Sequence, residues 1–118
     1  MDRKLPRGWS WMLLAAAVYN WLVSLPVLLD TGIAESDKIS AVLVTGFGVL
    51  YALVAANPAR FAPTLWAGVV GKLGLVILLA PSIAAGTAAP GTAPVLAGDL
   101  LFTVAFLALL LGPARGTR

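Results

Sequence analysis

Four long apolar stretches, each close to the roughly 20 residues that cross a hydrocarbon core, constrain this chain more than anything else in it. They cover about residues 9–29, 39–56, 63–84 and 94–112. Of the 118 residues, 60% are hydrophobic and only 11% are charged. A soluble domain carries about a quarter charged residues, because a chain this short exposes much of its surface. The bilayer is the solvent that fits such a composition. The expected fold is therefore all-α, a four-transmembrane-helix bundle occupying residues 1–118 as a single integral membrane domain.

The separators between the stretches agree with this reading. Asp30, Thr31 and Gly32, followed by Glu35, Ser36, Asp37 and Lys38, read as one short acidic loop. Asn57, Pro58, Ala59 and Arg60 read as a tight turn, with Asn57 as a left-handed cap and Pro58 unable to continue a helix. Residues 86–94 form a Gly/Pro/Thr/Ala loop without charge or periodicity. The first seven residues and the apolar run after them also have the outline of a signal peptide, with Gly32, Ile33 and Ala34 as a cleavage site. The length of that run and Asn20 within it favour a retained first helix.

Orientation follows from the basic residues. Arg3, Lys4 and Arg7 precede the first stretch, Arg60 lies between the second and third, and Arg115 and Arg118 follow the fourth. Only Lys38 is basic on the other side, beside Asp30, Glu35 and Asp37. The positive-inside rule then puts both termini in the cytoplasm. Trp9, Trp11 and Trp66 fall near the cytoplasmic boundary, where indoles prefer to sit. The Ala/Gly/Pro/Arg-rich wording reads as that of a high-GC bacterial genome, which points to a bacterial cytoplasmic (inner) membrane.

Absences narrow the chemistry. With no Cys and no His, the chain builds no disulfide, iron–sulfur cluster, typical zinc site or His-ligated haem, and no Cys or Ser–His nucleophile. No metal site and no cofactor is expected. The net charge of +3 carries topology, since no aromatic-rich basic patch is present to bind nucleic acid. The expected partners are the lipid bilayer, a second copy of the chain, or a larger membrane complex.

Helices in lipid associate through small residues and polar contacts. The first stretch repeats Ala16, Asn20 and Ser24 at four-residue spacing. The second repeats Gly48, Ala52 and Ala56, flanked by Thr45 and Tyr51. The third offers two such pairs, Ala67 with Gly71 and Gly68 with Lys72, and Gly74 beyond. The fourth carries Asp99, Thr103, Phe106 and Leu110 along one face. Most of these stripes need be no more than packing seams.

The ionisable pair carries more. Lys72 falls roughly 13 Å into the third stretch, and Asp99 roughly 8 Å into the fourth from the other side. A lysine at the centre of a span costs about 2.5–3.5 kcal/mol on insertion scales, so Lys72 should face protein. Helical side chains lean toward the N-terminus, which tilts Lys72 away from Asp99 and leaves roughly 9 Å between them along the membrane normal. Contact then needs an extended lysine or a bridging water. Asn20 and Tyr51 come out near the midplane as well. The candidate ligand-binding set is Asn20, Tyr51, Lys72 and Asp99, with Thr45 and Thr103 as secondary members and no catalytic residue assigned.

The succession Tyr19 and Asn20, then Gly46, Phe47 and Gly48 with Tyr51, then Asn57, Pro58, Ala59 and Arg60, then Gly71 and Lys72, then Asp99 resembles a family of small bacterial four-helix membrane proteins, loosely DoxX-like in size and layout. The resemblance covers nearly the whole chain. That family commonly has Asn before the last acidic residue and Trp just beyond it, where this chain has Gly98 and Leu100, Leu101 and Phe102. What the resemblance implies is fold and location, without an activity. The residues themselves support three functions. The polar cluster binds a small anionic or polar ligand or carries a proton; the chain is an accessory or structural subunit of a larger membrane complex; or Lys72 or Asp99 acts as acid or base on a lipid-soluble substrate. Nothing beyond that pair supports turnover, so binding is favoured over catalysis.

Overall fold

Apolar residues fill most outward-facing positions of the long helices, so prolines, glycines and charges mark where the elements begin and end. The computed structural model describes residues 5–114. Arg3, Lys4, Arg115 and Arg118, used above for orientation, lie outside the described residues. Helix α1 spans Arg7–Leu29, α2 Glu35–Ala56, α3 Pro58–Phe61, α4 Leu65–Ala84 and α5 Thr92–Leu111; a short 3-10 turn, Ala62–Thr64, leads into α4. There is no strand among the described residues. At 1.5 Å per residue the four long helices measure about 30–35 Å, the thickness of a hydrocarbon core. All four are long and apolar enough to cross a membrane. The all-α, four-helix class expected from the sequence is what the structure shows, and it is compatible with a multi-pass membrane protein.

Two boundaries differ from the sequence reading. Glu35, Ser36, Asp37 and Lys38 do not form a loop; they are the first turn of α2. The cause is electrostatic, since Glu35 and Asp37 lie beside the unpaired N–H groups at the positive end of the helix. Only residues 30–34 remain to connect α1 and α2, and the Asp30 carboxylate accepts from Gly32 N at 2.8 Å to shape that turn. Asn57 is likewise not a left-handed cap. Its backbone is extended at φ −152°; its N–H donates to Val54 O at 3.1 Å and closes α2, while its side-chain oxygen accepts from Arg60 N at 3.3 Å and starts α3. Pro58 follows at the first helical position, where a missing N–H costs nothing. The last two helices begin within two residues of their expected starts.

The chain forms two compact units, one ending at Ala62 and the other beginning at Pro63. In the first, α1 and α2 pack against each other as an antiparallel hairpin, and α3 adds to the end of α2. Ala16, Asn20 and Ser24 of α1 are all buried, as the stripe predicted. On α2 the buried face is Ala41, Gly48, Tyr51, Val54 and Ala55, so the predicted Gly48, Ala52, Ala56 stripe is rotated, with Ala56 exposed. Gly48 sets the close approach: a Cβ there would overlap the Trp21 indole, 2.8 Å from Cδ1.

In the second unit α4 and α5 pair as a hairpin across residues 85–91. Gly86 and Gly91 adopt φ +73° and +86°, the left-handed conformations that reverse the chain at low cost. Ser82 O accepts from Thr87 N and Ala88 N, which closes the end of α4. Of the two alternative stripes on α4, Gly68 with Lys72 is buried, while Ala67 and Gly71 are exposed. On α5 the whole predicted face, Asp99, Thr103, Phe106 and Leu110, is buried. Large apolar side chains cover the outer faces, among them Leu22, Leu43, Val70, Ile77, Leu78 and Leu101. Water tolerates no contiguous apolar surface of that extent, whereas lipid does.

Candidate functional site

The strongest polar feature lies in the second unit. Lys72 of α4 donates to Asp99 Oδ1 at 2.8 Å, and both side chains are more than nine-tenths buried. Of the two routes to contact, an extended lysine or a bridging water, the structure has the lysine reach the carboxylate directly. The physical reason is the length of the side chain: four methylenes let the ammonium swing toward a carboxylate on the neighbouring helix despite the usual lean of helical side chains. Phe102 completes the surroundings. Its ring centroid is 5.9 Å from Lys72 Nζ, within cation–π range. Thr103, predicted as a secondary ligand, donates to the backbone oxygen of Asp99 at 2.7 Å, a contact within its own helix.

Phe102 was not among the predicted site residues. The signal was present, because Phe102 follows Asp99 by three positions and so shares its side of α5. Phe102 and Phe106 continue as a tilted pair with centroids 6.3 Å apart. The ammonium is thus held between a carboxylate and an aromatic face. Such a pair is neutral overall.

Asn20, Thr45 and Tyr51 belong to the first unit, where Asn20 and Thr45 take part in hydrogen bonds between α1 and α2. Asn20 Nδ2 donates to Val44 O at 3.1 Å, and Trp21 Nε1 donates to Thr45 O at 3.2 Å. The Ser24 and Thr45 hydroxyls are 2.7 Å apart. Thr45 gives its proton to Ala41 O at 2.8 Å, so Ser24 is the donor between the two hydroxyls. Tyr51 is fully buried with its ring against Phe47, centroids 6.3 Å apart. Trp21 and the carbonyls of Val44 and Thr45 could not be picked out from the sequence, since main-chain acceptors leave no trace in residue identity. An apolar groove of about 490 Å³ follows α1 past Val18, Leu22, Leu25 and Pro26, and none of the predicted site residues lines it.

Every buried side-chain nitrogen and oxygen among the described residues has a hydrogen-bond partner. The two units therefore carry two kinds of polar contact: neutral hydrogen bonds from side chains of α1 to the backbone and the Thr45 hydroxyl of α2, and an ion pair between α4 and α5. Comparison of the chain with protein families, with curated proteins and with solved structures finds no match in any of the three.

Proposed function

We propose that this chain is an integral protein of a bacterial cytoplasmic membrane, with both termini cytoplasmic, in which the Lys72–Asp99 pair binds a proton together with a small anion. The observation that carries the reading is the 2.8 Å pair buried inside two helices of membrane-spanning length. Ionisable residues inside spans are costly and mark ion or substrate pathways. The exchange balances simply. A proton binds the Asp99 carboxylate and makes it neutral; the Lys72 ammonium, still facing Phe102, is released from its partner and takes up one small anion. Loss of the anion and the proton restores the pair.

The test is proton entry into proteoliposomes, read by an entrapped pH-sensitive dye with chloride as the probe anion. Wild-type protein is expected to give chloride-dependent entry. Asp99→Asn, which holds the site in the form of a neutral acid, should bind chloride without pH dependence, and Lys72→Met should abolish both. If Lys72→Met left chloride-dependent proton entry unchanged, the proposal would be wrong.

A second reading is favoured by the complete pairing of buried polar side chains among the described residues: the ion pair fixes helix register, and the chain serves as an accessory or structural subunit. Exchanging the charges, Lys72→Asp with Asp99→Lys, separates the two. A register device needs only a pair, so the exchange restores stability and any assembly seen by sizing in native detergent. A proton and anion site loses its activity even where stability returns.

A further inference from the structure

The first unit has a chemical polarity that the ion pair of the second does not share. Asp30, Glu35, Asp37 and Lys38 stand at the end of the α1–α2 hairpin where the two helices connect. Arg7 opens α1, and Arg60 lies in α3 just past the end of α2. Asn20 against Val44 and Ser24 against Thr45 set the antiparallel register. The antiparallel pairing puts the start of α1 at the same end of the hairpin as the end of α2, which α3 and Arg60 follow. Both arginines are exposed. Aromatic side chains accompany them: Trp11 is 69% exposed, Trp9 is half-buried, and Phe61 is at the surface.

The turn is built so that Arg60 faces outward. Ala59 and Ala62 are buried on one side of α3, which leaves Arg60 and Phe61 on the other. The Arg60 guanidinium lies over the Phe61 ring, 5.3 Å from its centroid. Stacking of this kind orients the planar fork while leaving its N–H edges open to an acceptor. A guanidinium fork matches a phosphate with two parallel hydrogen bonds. Indoles at the same level prefer the headgroup region of a bilayer.

From this juxtaposition we infer that the Arg7 and Arg60 end of the α1–α2 hairpin binds the phosphate of an anionic phospholipid. The guanidinium groups hold the headgroup, and Trp9, Trp11 and Phe61 sit beside its glycerol and upper acyl region. The inference rests on the membrane-spanning reading and is independent of the Lys72–Asp99 pair. Charge complementarity selects the occupant: basic side chains near an anionic leaflet favour acidic lipid by about fivefold each.

The experiment uses the full chain reconstituted in vesicles of phosphatidylcholine with a minor fraction of phosphatidylglycerol of the same acyl chains. Relative association of spin-labelled forms of the two lipids is measured by electron paramagnetic resonance. Wild-type protein should prefer phosphatidylglycerol, and the preference should fall as salt rises. Arg60→Gln and Arg7→Gln should each reduce it about fivefold, while Lys38→Gln at the other end should leave it unchanged. Circular dichroism of each variant checks that helicity is kept. Equal association of the two lipids with wild-type protein overturns the inference, as does an unchanged preference in the Arg7→Gln, Arg60→Gln double variant. Displacement of the labelled lipid by millimolar inorganic phosphate also overturns it, since the site would then belong to a soluble anion. Release of the chain from vesicles by alkaline wash would instead refute the spanning reading itself.

Discussion

A charge inside a span is held by what surrounds it, and on α5 Lys72 meets the Asp99 carboxylate and the face of Phe102. Removing one member of such a pair strands the other among apolar groups. Lys72→Met and Asp99→Leu are each expected to lower stability by about 3 kcal/mol in thermal unfolding in detergent, and the double variant should recover most of that loss. Simple additivity of the two losses would show that the residues act separately. Thr103→Val offers the contrast, because its hydroxyl contacts only the carbonyl of Asp99 in the same helix. That change should cost only about 0.6 kcal/mol, the scale of an ordinary polar contact within a membrane. Lys72 and Asp99 were legible as a pair from depth and residue type. Their direct contact was not, because a flexible four-carbon side chain can close or leave open an offset of several ångströms.

At the level of elements, the α1–α2 hairpin depends on one glycine more than on the stripe around it. Gly48 stands where the Trp21 indole passes, and Trp21 Nε1 bonds Thr45 O one turn away. Gly48→Val is expected to cost about 1–3 kcal/mol through overpacking, with a shift in tryptophan fluorescence as the indole leaves its acceptor. Gly46, two positions earlier, meets nothing within 4 Å, so Gly46→Ala should be neutral or stabilising by up to about 1 kcal/mol. Equal effects at the two positions would refute the role given to Trp21. The four-residue spacing correctly marked small residues on α2, yet the buried face lies closer to Ala41, Gly48 and Ala55. Spacing defines a set of candidate faces around a helix that is apolar all round, and the partner helix chooses among them. The same ambiguity on α4 was resolved for Gly68 and Lys72, where the charge demands cover.

For the whole molecule, four spans and a biased distribution of basic residues lead to a topology that can be tested. A reporter fused after Arg118 should be active only in its cytoplasmic form, and one inserted between Thr31 and Gly32 only in its exported form. The opposite pattern would reverse the orientation, and two cytoplasmic readings would remove the first hairpin from the membrane. The insertion site is an exposed connection, so it tolerates added sequence. The acidic start of α2 makes that connection shorter than the sequence reading allowed, because carboxylates at a helix N-terminus extend the helix toward the neighbouring turn.

Hydropathy by itself determined the all-α class and the number of long helices, since the bilayer requires about 20 apolar residues with every backbone group bonded internally. Residue type also singled out Lys72 and Asp99, because ionisable groups in such segments are too costly to be incidental. Tertiary structure alone decided which face of each helix is covered and that Lys72 meets Asp99 without a bridge. It also decided that Phe102 lies against the ammonium, and that Asn20 and Trp21 of α1 are answered by main-chain oxygens of α2. These choices depend on helix rotation and axial offset, to which a nearly uniform apolar surface is indifferent until a particular neighbour packs against it.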